Sequence, residues 1–255
     1  MRRLRAAATL ILTGLVLSLG GAAAAADGPF THWAAIFVAG DSRAHSGKPS
    51  EVFDNARRDL ATAFEKAGFD PRNVAQFSVH PDRYPGARVL PTQPEAIQST
   101  LDQLAAQAQD GCLVYFTSHG GPEAIVLGDL VFTPGGLGNL VDEACGERPT
   151  VIIVSACFSG IFIPTLYRPN RMVMSAARPD RTSFGCGESD RYTFFDTCML
   201  QNLPSAHDFV ALGSAVQACV ARREHDMGLE PPSEPQLAIG PTLGPVLPFY
   251  ALGGP

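Results

Sequence analysis

The stretch Val151-Ile152-Ile153-Val154-Ser155-Ala156-Cys157-Phe158-Ser159-Gly160 opens with apolar, β-branched residues and ends abruptly in small ones around a cysteine. A run this uniformly apolar reads as a strand, Val151 to Ala156, covered on both faces and so central in a parallel sheet. An earlier run of the same kind, Cys112 to Thr117, leads into Ser118-His119-Gly120-Gly121. Working outward, Trp33 to Ala39, Asn73 to Val79, Met172 to Ser175 and Leu237 to Gly240 read as further strands. Ala124 to Phe132 reads as a small hairpin. Between them lie helical patterns. Phe53, Ala56, Leu60 and Phe64 recur on one face of Phe53 to Ala67. Thr92 and Glu95 frame a capping-box start for a helix through Ile97, Leu101 and Leu104, and Leu137 to Ala144 and Phe209 to Arg223 are also helical. Strands alternating with helices predict an α/β class: one three-layer domain over residues 27–255, with a mostly parallel six-stranded sheet flanked by helices. Arg178 to Asp190 reads as loop.

The composition agrees with one globular unit, since 45% of the 255 residues are hydrophobic and 17% charged. The formal charge is -6, and beyond the N-terminus the basic residues are scattered, so no stripe could neutralise phosphates and nucleic acid is not an expected partner. Arg2, Arg3 and Arg5, then an apolar run from Ala6 to Gly21, then Ala22 to Ala26 follow the order of a secretory signal, with cleavage expected after Ala26. The run is interrupted by Gly14, Gly20 and Gly21 and is short against the roughly 20 apolar residues that span a bilayer. A periplasmic or secreted protein is therefore expected, touching a membrane only through this segment if it stays uncleaved.

An oxidising destination permits disulfides among the six cysteines. Cys112 and Cys157 lie in or at strand-like runs, where cysteine behaves as a small buried hydrophobe. Cys186, Cys198 and Cys219 are the better candidates for bridging, and if Cys157 is a free thiolate at most two bridges can form. No C-x-x-C spacing occurs, so neither a metal nor another cofactor is expected.

Parallel sheets bind ligands beyond the carboxyl ends of their strands. Cys157, just past a buried strand and opening a helix, would meet a positive helix end that favours the thiolate. Ala156, Ser159 and Gly160 leave room for a substrate backbone beside it. His119 follows its strand immediately, and Gly120 lets a backbone N–H approach a developing oxyanion. With the N–H of Cys157 it would form a two-donor oxyanion hole. The 38 residues from His119 to Cys157 amount to one crossover, which puts the two on neighbouring strands.

These motifs resemble the legumain (asparaginyl endopeptidase) family of caspase-like fold, where a strand ends in Asp-His-Gly and the next in Glu-Ala-Cys-Glu-Ser-Gly. Phe37-Val38-Ala39-Gly40 is similar to the family's first strand, and Met174-Ser175-Ala176-Ala177-Arg178-Pro179 resembles its Thr-Thr-Ala-Ala-Asn-Pro segment; the likeness runs in order from Trp33 to Phe195. It implies a cysteine endopeptidase acting on proteins or peptides without a cofactor, through an acyl-enzyme, with Cys157 as nucleophile and His119 as base. Asp41 and Ser42 fall where the family sets a polar group near the histidine. Ser118 and Ser155 replace the family's Asp and Glu, and Arg43 and Ser155 become the candidate substrate-binding residues. The family's asparagine-reading arginine aligns with Val52-Phe53, so strict asparagine specificity is not expected; Arg43 and Arg57 are nearby and read as solvated charges.

Four other readings use the same letters. Gly40-Asp41-Ser42 resembles the start of a GDS-type esterase with Ser42 as nucleophile, but neither His207 nor His225 has an Asp three residues before it. A binding module that kept the fold and lost turnover is a second. A third is transamidation, since the same acyl-enzyme can pass to an amine. An α/β-hydrolase elbow is disfavoured by Ser155 and Ser159 in place of its glycines.

Overall fold

A computed structural model describes residues 28–85 and 88–253; the secretory signal expected at residues 1–26 lies outside the described residues. The strands are β1 (Trp33–Ala39), β2 (Val74–Ser78), β3 (Val89–Pro91), β4 (Gly111–Thr117), β5 (Ile125–Leu127), β6 (Leu130–Phe132), β7 (Thr150–Ser155), β8 (Arg171–Ser175) and β9 (Gln236–Ile239). The helices are α1 (Val52–Lys66), α2 (Pro94–Gln107), α3 (Pro134–Cys145), α4 (Ile163–Leu166), α5 (Phe194–Asn202) and α6 (Phe209–Asp226). Seven strands form one sheet in the order β3-β2-β1-β4-β7-β8-β9, parallel except for β9, while β5 and β6 pair separately as the expected hairpin.

The fold class is as expected, with one strand more than the six. The extra strand, β3, is a three-residue edge piece, too short to carry a period. β1, β4 and β7 are buried along their whole length. Their side chains alternate between two cores. Ala35, Phe37, Leu113, Tyr115, Val151 and Ile153 pack on the face covered by α1, α5 and α6, with Leu60, Phe64, Phe195 and Phe209. Ala34, Ile36, Val38, Val114, Phe116, Ile152 and Val154 pack on the face covered by α2, α3 and α4, with Ile97, Leu101, Leu137 and Leu166. Each such fully buried side chain contributes about 1.5–3 kcal/mol over its exposed state, so double coverage is what makes these three strands the centre.

Local expectations fared unevenly. The capping box at α2 is not formed: Gln93 holds the N-cap without a side-chain bond, and the Thr92 hydroxyl donates instead to the Ala39 carbonyl at 2.8 Å. That bond ties the end of β1 to the entry of α2, a long-range use of threonine that local pattern does not reveal. Real side-chain caps occur at Thr133, Thr193 and Asp208. Cys112, expected as a lone hydrophobe, is bridged to Cys145 of α3, and Cys198 to Cys219 joins α5 to α6; Cys157 and Cys186 are free. α5 was not anticipated, because it is buried on several sides and its apolar residues keep no clear helical stripe. Among the described residues no helix is long and apolar enough to cross a membrane.

Candidate active site

From β1 the chain runs outward to β2 and β3, then returns to β4 on the other side of β1 and continues outward to β7, so β1 and β4 flank a topological switch point. The residues after β1, β4 and β7 gather above it. Register pairs Ala39 with Thr117 and Thr117 with Ser155, which puts His119 and Cys157 two residues beyond adjacent strand ends.

Gly120 locks these two ends together. A Cβ built on it would lie 2.1 Å from the Cys157 carbonyl oxygen and 3.1 Å from the Ala156 Cβ, so only glycine allows this approach. Gly160 is held in the same way against Pro179, where an added Cβ would sit 2.5 Å from the ring. Among the described residues no backbone carbonyl takes the N–H of Gly120 or of Cys157.

His119 is half-buried and its ring is fixed from two directions. Nε2 lies 2.9 Å from the Arg43 carbonyl. A carbonyl only accepts, so Nε2 carries a proton, and in the neutral ring the lone pair lies on Nδ1. Phe53, buried at the start of α1, meets the imidazole edge to face at a centroid distance of 5.0 Å. Among the described residues neither Asp41 nor Ser42, the expected orienting residues, is hydrogen-bonded to the ring. The Asp41 carboxylate accepts from the N–H groups of Ser42 and Arg43 at 2.7 and 3.1 Å, shaping the turn that aims the Arg43 carbonyl. The buried Ser42 hydroxyl lies 3.2 Å from His80 Nε2, and among the described residues no carboxylate is bonded to the His80 ring.

Cys157 is half-buried under the loop that joins β8 to α5. The Ser183 N–H donates to Sγ at 3.2 Å, and the Ser183 carbonyl and hydroxyl lie 3.6 Å from it. The helix expected after Cys157 is shorter than a full one. Phe158 takes a left-handed φ of 58°, a 3-10 turn covers Ser159–Phe162, and α4 adds four residues, so the chain turns sharply at the cysteine instead of offering a long helix dipole. The same loop returns across the site: the Cys186 main-chain carbonyl accepts from His45 N–H at 3.0 Å, and its side chain packs on Ala39, Val52 and Phe53. Burial, and next the neighbouring Cys157, push the Cys186 thiol up to about 11, so it stays protonated near neutrality.

Ser155, expected to bind substrate, is buried with its hydroxyl 3.3 Å from that of Thr193. It belongs to a network centred on the fully buried Asp196. Tyr115 and Thr117 of β4 and Thr193 donate to that carboxylate at 2.7, 2.9 and 2.8 Å. Burial raises the Asp196 pKa against the lowering by these donors, and burial followed by the Asp196 charge holds the Tyr115 phenol well above its ordinary value. The network fastens the ends of β4 and β7 to α5. Arg57, expected as a solvated charge, is 1% exposed: it pairs with Asp54 at 3.0 Å, donates to Gln76 and lies over the Tyr84 ring. Arg43 is exposed, as expected. Sequence reasoning missed the Arg43 carbonyl and the Ser183 N–H because backbone groups carry no residue-type signal. Phe53 was legible only as a core residue of α1. Among the described residues no cluster of His, Cys, Asp and Glu could hold a metal ion.

Comparison with known proteins agrees with this architecture. The caspase-1 crystal structure from Spodoptera frugiperda superposes with a TM-score of 0.60 at 18% identity, covering 84% of this chain and 88% of that one. The structure of pro-sf-caspase-1 gives 0.57 at 17%, covering 81% and 90%. These likenesses establish a caspase-like fold. No curated protein matches the sequence. The model of the peptidase C13 family matches residues 68–214, more than half of the chain and the segment that carries both His119 and Cys157. With the strand ends, the two open N–H groups and the free half-buried cysteine in place, the chain belongs to the peptidase C13 family and is a cysteine peptidase of caspase-like fold.

Proposed function

We propose that this peptidase hydrolyses peptide bonds through a Cys157/His119 dyad and an acyl-enzyme. The observation that carries the reading is the hydrogen bond from His119 Nε2 to the Arg43 carbonyl at 2.9 Å, which fixes a proton on Nε2 and, in the neutral ring, leaves the Nδ1 lone pair to accept the thiol proton. Nδ1 takes the thiol proton as Sγ attacks the substrate carbonyl carbon. The oxyanion that forms is met by the N–H groups of Gly120 and Cys157, worth about 2.7–4 kcal/mol for each donor removed in comparable sites. As the C–N bond breaks, Nδ1 returns the proton to the departing amine, leaving a thioester on Cys157. Water then attacks the thioester, His119 takes its proton, and the acid and thiol are released. The Ser183 N–H at Sγ supports the same role, since a donor aimed at sulfur suits a thiolate.

Buried Arg57 is committed to Asp54 and Gln76, which removes one of the two nearby arginines as an asparagine reader and argues against strict asparagine preference at the residue before the scissile bond. The N-terminal segment supports export as part of the proposal. The test is turnover of a proteome-derived peptide mixture by the chain and by Cys157→Ala and His119→Ala. Both variants should fold, by circular dichroism, and lose cleavage; a Cys157→Ala protein that still cuts would sink the assignment.

A further inference from the structure

Two cavities open beside the proposed dyad, and both lie on the same side of it. The first, about 320 Å³, is lined by His119, Gly120, Asp41, Arg43, His45 and Val126. The second, about 640 Å³, shares Asp41, Arg43 and Val126 with the first and continues to His80, Arg83 and Asp129. Their walls come from the segments after β1 and β2 and from the β5–β6 hairpin. In the order β2-β1-β4-β7 the segments after β1 and β2 lie on the side of β4 away from Cys157, and Cys157 lines neither cavity.

Chemistry assigns that side, given the dyad reading on which the inference rests. The acyl half of a substrate ends up on Cys157 Sγ, whereas the departing nitrogen must sit within hydrogen-bond reach of the imidazole that protonates it. Chain beyond that nitrogen therefore runs past His119, into the cavities. We infer that they form the subsite for the leaving half of the substrate, and that Arg43 selects an acidic residue immediately after the scissile bond.

The choice of charge follows from which groups are already engaged. The Asp41 carboxylate is turned to the N–H groups of Ser42 and Arg43 through Oδ1, and Arg83 is paired with Glu51 at 2.5 Å. Arg43 uses its backbone N–H and carbonyl locally, but its guanidinium has no hydrogen bond or ion pair among the described residues. It is the uncommitted cation common to both cavities. The uncommitted carboxylate, Asp129, lines only the outer one, where later residues of the leaving half would lie. A carboxylate beside Arg43 gains a charge-assisted, bidentate contact that a neutral or basic side chain cannot make.

The experiment digests a proteome-derived peptide mixture with the intact chain and with Arg43→Glu, and reads every new N-terminus by mass spectrometry. Only the ratio of acidic to basic residues at that position is compared within each protein, so a change in overall rate does not enter. The wild type should favour Asp and Glu by about fivefold, the ceiling for a solvent-exposed ion pair, and Arg43→Glu should invert the preference toward Lys and Arg. Cleavage dependent on Cys157 with no charge preference there, or with one that survives Arg43→Glu, overturns the inference alone. A wild type that cuts nothing in a Cys157-dependent way overturns the dyad reading and the inference with it.

Discussion

Replacing Gly120 by alanine tests the site geometry more sharply than removing a catalytic side chain. The added Cβ would start 2.1 Å from the Cys157 carbonyl oxygen, and contacts under 3.0 Å are not sustained, so the strand ends bearing His119 and Cys157 must part by about 0.9 Å. The obstacle is backbone backed by the Ala156 Cβ at 3.1 Å, so no side-chain rotation can relieve it. A displacement near 1 Å in a reacting constellation costs about 100-fold in rate, or about 2.7 kcal/mol, which is also the loss expected from one oxyanion donor. Gly121 is the built-in control, since a Cβ there meets nothing nearer than the Ala124 carbonyl at 3.9 Å. Measured as kcat/KM on one peptide released from the mixture, Gly120→Ala should fall about 100-fold and Gly121→Ala should stay within about threefold. Thermal melts report whether each variant is folded. A folded Gly120→Ala enzyme with near wild-type kcat/KM would refute the idea that this contact positions the dyad.

Three further outcomes are expected. Reducing the Cys112–Cys145 and Cys198–Cys219 bridges, which span 33 and 21 residues, should cost about 3–4 kcal/mol each by the loop-entropy relation, read as a fall in urea midpoint, while Cys157 should alkylate in the folded protein without reductant. Tyr115 keeps its proton in the folded state well above its ordinary value, so the stability it contributes is present below about pH 10 and lost as pH rises toward its raised folded pKa. Urea unfolding between pH 9.5 and 11 should show that loss at up to about 1.4 kcal/mol per pH unit, and an unchanged slope in Tyr115→Phe would contradict the assignment to this phenol. If the chain is exported as proposed, intact-mass analysis of protein from the expressing cells should show a mature N-terminus near Asp27; a retained Met1 on membrane-bound protein would refute cleavage.

The sequence by itself determined the class, the central strands and the two residues to bet on. β7 could be read from Val151 to Val154 because a strand buried on both faces needs apolar residues at every position, and that demand is written in residue types. His119 and Cys157, the proposed dyad, stood out for a related reason: each ends such a run among small residues, at the strand ends where parallel sheets carry their sites. Tertiary structure alone decided how the pair is held. The group that orients His119 is a main-chain carbonyl, which residue 43 would supply whatever its side chain, so Asp41 and Ser42 drew attention for their polarity and proved to shape the turn instead. Arg57 and Ser155 looked available because arginine and serine are usually solvated, yet each is buried by a partner far away in the chain, Gln76 for one and Thr193 for the other. The Cys112–Cys145 bridge, the Thr92 bond to Ala39 and the Asp196 network likewise depend on where the strands and helices lie side by side. Local periodicity encodes which face of an element is buried; which group meets that face is settled only when the layers close.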